Sequence, residues 1–333
     1  MSAKIRWGVL GVAKIAVEKV IPAMQQGEFA EVTAIASRDA ARAASAAESL
    51  GIAKSYGSYE ELLADPDIDA VYNPLPNHLH VSWSVKAAEA GKHVLCEKPI
   101  ALSSADALEL IAARDRTGVR IQEAFMVRTH PQWLAVRDRV RDGSVGQLLA
   151  AQFIFSYFNR DPENIRNQAD IGGGAIMDIG CYPITTSRFV FGEEPTRVLG
   201  LVQRDPDMGI DRLDSAILDY PSGQASFMCS TQMVSYQRAH FFGSEGRLEV
   251  EIPYNAPPDR PCRVFHSRGD LFGEDIETLE FDTCDQYTIQ GDDFSRAILD
   301  DREVTTPLED AVANMKVIEA LFRSGESGSW ETP

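Results

Sequence analysis

The first third of the chain alternates between two hydrophobic periods, and this alternation limits the fold more than any other feature. Ile5 to Leu10 is a short apolar run closed by Gly11, which reads as a buried strand; Val17, Val20, Ile21 and Met24 then recur at helical spacing. Val32 to Ala36 is a second strand, and Asp39 caps an alanine-rich helix through Leu50. Ser58 and Glu61 form a capping-box pattern ahead of Leu62 and Leu63. Ala70 to Tyr72 is a strand, a helix from about Leu79 to Ala90 stops at Gly91, and His93 to Cys96 is a strand. Ser103 to Thr117 is a helix ended by Gly118, followed by a strand over Val119 to Gln122. Strands and helices joined by short links imply right-handed crossovers and a parallel, doubly wound α/β sheet.

Beyond residue 123 the texture changes. A helix over Gln132 to Asp142 stops at Gly143. Strands are expected over Leu148 to Phe158, Arg197 to Gln203, Leu213 to Tyr220, Ala225 to Met233, Arg238 to Phe242 and Arg247 to Ile252. Neighbouring strands joined by turns give an α+β domain with an open, mostly antiparallel sheet. Pro307 opens a final helix to about Arg323, and the polar tail from Ser324 is expected to be loosely held. At about 150 residues per domain, the 333 residues divide into domains over 1–123 and 124–333.

Composition narrows the function classes. Lys and Arg number 32 against 50 Asp and Glu, a net charge of −18, which disfavours nucleic acid and anionic membrane as partners. Met1 to Leu10 has no leader-like apolar core, and no uncharged apolar run approaches the ~18–20 residues of a membrane span. Cys96, Cys181, Cys229, Cys262 and Cys284 are odd in number and form no CxxC pair, which fits reduced thiols in a cytoplasmic protein. The six histidines are scattered and no ligand motif occurs, so no metal is expected.

Between the first strand and the first helix lies Gly11-Val12-Ala13-Lys14-Ile15-Ala16, a G-x-A-x-x-A variant of the dinucleotide fingerprint. Small residues there let the backbone approach a pyrophosphate, whose charge sits at the helix N-terminus. Alone, the pattern also suits a plain strand-to-helix turn; its place in the first βαβ unit favours the nucleotide. The ribose-reading position comes about 20 residues on. Ser37 and Arg38 stand there, offering a hydroxyl and a guanidinium that suit a 2′-phosphate, so NADP is expected, with NAD possible. Arg38 as a solvated surface residue is the alternative.

Four further segments carry a family resemblance: Asn73-Pro-Leu-Pro-Asn77-His78-Leu-His80, Gly91-Lys-His-Val-Leu-Cys-Glu97-Lys98-Pro99, Glu123-Ala-Phe-Met-Val-Arg128 and Gly172-Gly-Gly-Ala-Ile-Met-Asp178-Ile-Gly-Cys-Tyr182. Together and in this order they resemble the Gfo/Idh/MocA family, named for glucose–fructose oxidoreductase and inositol dehydrogenase. Within it, the chain looks most like the branch of glucose–fructose oxidoreductase, NADP-dependent xylose dehydrogenase, anhydrofructose reductase and dihydrodiol dehydrogenase. Tyr182 stands where inositol dehydrogenases carry a His.

The resemblance implies a Rossmann domain followed by an α+β domain whose sheet forms a homo-oligomer interface, dimeric or tetrameric. It implies that Lys98 and Tyr182 face the nicotinamide and the reacting alcohol. Chemistry agrees: alcohol oxidation needs a base for the hydroxyl proton, and an ammonium near a phenol favours the phenolate. Asp178, four residues before Tyr182, shares its face if the segment is helical, and would orient Lys98 or bind a sugar hydroxyl. The loop holding Pro74, Leu75, Asn77 and His80, together with Glu97 and Arg128, is expected beside the cofactor; Asn77 serves equally as a helix N-cap. Phe158, Asn164 and Arg166 would line a sugar pocket or merely cover a domain junction.

The leading expectation is an NAD(P)-dependent oxidoreductase acting on CH–OH groups. It would be a sugar dehydrogenase passing hydride from an aldose such as xylose or glucose to NADP and giving a lactone. A trans-dihydrodiol dehydrogenase and a keto-sugar (anhydrofructose-type) reductase are alternatives of the same class. A catalytically silent nucleotide-sensing binding protein is the alternative from another class.

Overall fold

A computed structural model describes residues 4–333; the first three residues of the segment read for a leader lie outside it. Contacts group the chain into two compact units. The first takes in residues through Met126 with Asp285–Val312, and the second Val127–Cys284 with Ala313–Pro333.

The first unit is built on β1 (Ile5–Leu10), β2 (Ala30–Ala36), β3 (Lys54–Tyr56), β4 (Ala70–Asn73), β5 (His93–Cys96) and β6 (Ile121–Glu123). They form one parallel sheet in the order β3-β2-β1-β4-β5-β6. The connections carry α1 (Ile21–Met24), α2 (Ala40–Leu50), α3 (Tyr59–Ala64), α4 (His80–Glu89) and α5 (Ser104–Thr117). The sequence signals act as expected at the helix ends. Asp39 accepts hydrogen bonds from the amides of Ala41 and Arg42, and Ser58 from that of Glu61. Gly118 closes α5 at φ 72°. The outward order of the strands reverses at β1 and β4, so the crevice at their C-terminal ends is where such a sheet binds a ligand.

Residues 285–312, placed by the sequence in the second domain, pack with the first unit. Their helix, Gln286–Leu299, brings the Phe294 ring centroid to 5.6 Å from that of Trp7, while the Trp7 indole donates to Ser295 Oγ at 3.0 Å. Asp292 accepts from the amides of Glu28 and Phe29 at 2.8 Å each. Gly291 lets this helix approach: a Cβ there would lie 2.9 Å from Met24 Cγ.

The second unit opens with α6 (Pro131–Arg141) and β7 (Leu148–Phe158), followed by α7 (Cys181–Phe191) and β8 (Arg197–Arg204). It continues through β9 (Asp211–Tyr220), β10 (Gly223–Ser230), β11 (Gln232–Gly243), β12 (Arg247–Val250), β13 (Cys262–Ser267) and β14 (Glu277–Phe281). Then come α8 (Gln286–Leu299), already placed with the first unit, and α9 (Leu308–Ser327). The eight strands run in the order β14-β13-β12-β11-β7-β10-β9-β8, and all pairs are antiparallel except β7 with β10. Register carries Val198, Leu218, Ala225, Ala151, Phe241 and Leu248 in one row across six strands, and all six are buried. The opposite face leaves Leu201, Ile217, Tyr236 and Phe242 exposed.

The tail is held, contrary to expectation. Val198 and Glu331 exchange backbone hydrogen bonds of 2.8 and 2.9 Å, and the Arg197 guanidinium lies 4.5 Å from the Trp330 ring centroid. Ser324 Oγ accepts from the amide of Gly200 at 2.9 Å.

Truncating Phe294, which is fully buried against Trp7, removes the apolar anchor of the returning helix. Phe294→Ala should cost about 3–5 kcal/mol in urea unfolding followed by tryptophan fluorescence; a loss below about 1 kcal/mol would contradict this anchoring.

Candidate active site

In the first unit the turn after β1 is shaped by backbone freedom. Gly11 has φ 96°, its amide donates to the Ala36 carbonyl at 2.8 Å, and a Cβ would stand 3.0 Å from Leu75 Cδ2. Only glycine takes this conformation without strain. The turn thus lies against the loop after β4. Val12, Ala13 and Ile15 are half-buried and Lys14 is exposed, 3.9 Å from Glu18. At the end of β2, Ser37 is buried with its hydroxyl accepting from the Asp39 amide, while Arg38 is exposed. Arg42, on the first turn of α2, donates to the Val12 carbonyl at 2.8 Å. The sequence reading missed Arg42; its signal was a second arginine one helical turn beyond Arg38.

The loops after β4 and β5 are joined by a buried imidazole. His80 Nε2 lies 2.6 Å from the Leu75 carbonyl and Nδ1 2.8 Å from that of Pro99. Burial pushes this ring down to about 4, while the two carbonyls favour the protonated form. Asn73 donates to the His80 carbonyl and to Ser84 Oγ, and its own carbonyl accepts from the Glu97 amide. Glu97 takes the Tyr72 hydroxyl at 2.6 Å, and Glu123 takes the Ile100 amide at 2.8 Å. Lys98, half-buried, sits in the middle of this fastened segment, followed by a cis bond to Pro99. Pro74 and Leu75 are buried, and Asn77 opens a short 3-10 turn, Asn77–Leu79.

In the second unit a π-helical turn, Ile176–Gly180, runs directly into α7, so Asp178 and Tyr182 are carried by one continuous helical segment. Asp178 accepts the Tyr157 hydroxyl at 2.6 Å on one oxygen and Arg166 Nε at 3.0 Å on the other. Two donors at opposite oxygens fix the plane of the carboxylate. Tyr157 was not foreseen; burial and then the charge of Asp178 raise its phenol far above the usual value. Tyr182 is buried, with ring centroids 5.8 Å from Phe155 and 5.2 Å from Tyr254. Arg128 donates to Thr185 Oγ1 at 3.3 Å, and its guanidinium covers the Phe189 ring at 4.5 Å. Asn164 caps the turn leading to Arg166 by accepting from that amide. Phe158 ends β7 with 65% of its surface exposed.

The glycine run before Asp178 has a packing cause. A Cβ at Gly173 would lie 2.6 Å from the Arg166 carbonyl oxygen, and one at Gly174 would overlap Asp211 Oδ1. Asp211 accepts the Ile176 amide at 2.6 Å, and the Asp214 carboxyl lies close enough for its titration to depend on the Asp211 charge. Both side chains are buried, and burial with the neighbouring charge pushes Asp214 up to about 9.

Residues 5–125 match the family model described as oxidoreductase family, NAD-binding Rossmann fold, and residues 133–249 match the GFO/IDH/MocA C-terminal domain. The chain belongs to the Gfo/Idh/MocA oxidoreductase family. It is 50% identical to an uncharacterised oxidoreductase of Rhizobium meliloti, over 98% of this chain and 99% of that one. It is 37% identical to the D-xylose 1-dehydrogenase (NADP(+)) 2 of Haloferax volcanii, over 97% and 98%. A 3-ketoreductase from Actinomadura kijaniata, solved with NADP and TDP-benzene, superposes with a TM-score of 0.89 at 31% identity, covering 96% of this chain and 98% of that one. The chain is thus an NAD(P)-dependent oxidoreductase with the Rossmann and open-sheet architecture expected of it. Among the described residues no helix is long and apolar enough to cross a membrane, and no group of three or more His, Cys, Asp or Glu could hold a metal ion.

The Asp211–Asp214 pair makes stability depend on pH. A carboxyl protonated in the fold up to about 9, yet ionised above about 4 once unfolded, means that the folded protein binds the extra proton. That contribution to stability therefore falls as pH rises through this window. Asp214→Asn, which removes the titration, should gain in melting temperature over wild type, and by more at about pH 8.5 than at about pH 5; an equal difference at both pH values would rule out the shared proton.

Proposed function

We propose that the chain is an NADP-dependent sugar dehydrogenase that oxidises an aldose of xylose or glucose type to its lactone. The observation that carries this reading is the hydroxyl–guanidinium set at the end of β2. Ser37, Arg38 and Arg42 stand where an NAD-selective site has an acid, and Arg42 is already bound to the phosphate turn through Val12. The left-handed Gly11 and the small Ala13 leave that turn open to a diphosphate, so the residues fit the cofactor. The likeness to an NADP-dependent xylose dehydrogenase over nearly the whole length supports the substrate class.

When bound, the nicotinamide supplies the carbon that accepts hydride. Tyr182 takes the hydroxyl proton, because oxidation of an alcohol needs a base while the C–H electron pair departs. A free tyrosine, with a pKa of about 10, is a poor base, so the reading also requires the Lys98 ammonium to favour the phenolate and to steady charge on the substrate oxygen. Asp178, held in plane by Tyr157 and Arg166, binds a sugar hydroxyl. Reduction of a keto sugar runs the same steps backwards, and the activity of the Actinomadura ketoreductase makes it the second reading to test.

Initial rates on aldoses, keto sugars and trans-dihydrodiols with NAD and NADP, followed at the absorbance of the reduced cofactor, test the proposal. Turnover of dihydrodiols alone would overturn it. Lys98→Met and Tyr182→Phe should each lower kcat by ~10²-fold or more, and near-normal turnover in both would remove them from the chemistry.

Arg38→Ala should raise KM for NADP by about tenfold and leave NAD nearly untouched. Arg42→Ala should weaken both cofactors, because its contact to Val12 is lost with the charge. Equal losses for NADP and NAD in Arg38→Ala would refute the 2′-phosphate reading.

A further inference from the structure

We infer that the buried Asp211–Asp214 pair is a positioning device that fixes the start of the helical segment carrying Asp178 and Tyr182. Their part in catalysis rests on the function proposed above; the positioning rests on geometry alone. A helix start leaves its first amides without partners inside the helix. Here Asp211 Oδ2 accepts the Ile176 amide at 2.6 Å, a charge-assisted bond aligned with the positive end of the helix dipole.

Two close approaches seat the segment. Gly174, at φ 124°, meets Asp211 with no room for a side chain, and a Cβ at Gly180 would lie 3.1 Å from Cys229 Sγ. Cys229 Sγ lies 3.9 Å from Asp214 Oδ2, so β9 and β10 grip the turn at both ends. The interval between them spans Asp178, whose amide donates to the Gly174 carbonyl at 3.0 Å.

The pair works as a unit because two carboxyl groups buried side by side repel each other if both ionise, so one keeps its proton. The Ile176 amide favours the charge on Asp211, and burial beside that charge raises Asp214, so the proton stays on Asp214 and the Asp211 carboxylate accepts from the amide. Facing the pair are Cys229 from β10, the Arg204 guanidinium from β8, the backbone of Gln203 and the Ile176 amide. The expected roles are therefore unequal. Asp211 supplies the hold, and Asp214 supplies a donor that an amide can replace.

The test is hydrogen–deuterium exchange read by mass spectrometry on the full-length protein, with initial rates on D-xylose and NADP. In Asp211→Ala, peptides over residues 174–182 should exchange about tenfold faster, the equivalent of a lost cap. Its kcat should fall about tenfold with KM for NADP within about twofold. Asp211→Asn, whose amide oxygen still accepts from Ile176, should restore both, and Asp214→Asn should stay near wild type in both. Should Asp211→Ala fail to fold, Asp211→Ser, too short to reach Ile176, carries the same expectation. Unchanged exchange over 174–182, or no rescue by Asp211→Asn, would overturn the positioning role. Faster exchange with unchanged kcat would keep that role and instead remove Asp178 and Tyr182 from the proposed chemistry.

Discussion

The imidazole of His80, out of reach of solvent, spans the carbonyls of Leu75 and Pro99 and so fastens the loop after β4 to the loop after β5. Backbone carbonyls buried at strand ends must find donors, and here one ring lies within reach of a carbonyl from each loop and can donate its N–H to one of them. Asn73 and Glu123 complete the fastening through the amides of Glu97 and Ile100 and the carbonyl of His80. Lys98 therefore projects from a segment with little freedom to move. A flexible four-carbon side chain becomes a usable electrostatic group only when its root is fixed in this way.

The second unit reaches the same end by other means. Its proposed catalytic side chains lie on a helical segment, and precision comes from excluded volume. Glycines at 173 and 174 let the chain touch the Arg166 carbonyl and the Asp211 carboxylate, distances that any side chain would forbid. Tyr157 and Arg166 then lock the Asp178 carboxylate from both sides. The Gly-Gly-Gly run is thus a packing requirement, although in sequence it reads as a signature.

Much of this was legible in the residues. The period switching gave the parallel sheet, and Asp39, Ser58 and Gly118 marked helix ends that the structure keeps. The unread elements were short or locally inconsistent. β3 has three residues, two of them polar, and is a strand only because β2 pairs with it. α8 carries Gly291, Asp292 and Asp293 in its middle, a poor local pattern whose glycine makes room for Met24 and whose Asp292 caps a loop far away in sequence. β13 and β14 extend the sheet edge by pairing, which no local run of residues announces. Tyr157, Arg42 and Asp211 were missed for a related reason: a polar side chain gains its meaning from a partner 21, 30 or 35 positions distant.

The bridge between Val198 and Glu331 shows how this open sheet is kept from growing. β8 is the last strand on its side, and its outer amides would otherwise offer a template to any extended peptide. The chain supplies its own terminal segment as a stopper, secured by Trp330 under Arg197 and by Ser324 on Gly200. A protein shortened to Ser327, or carrying a bulky fusion directly after Glu331, would bare that rim, and self-association through β8 would then compete with the native state.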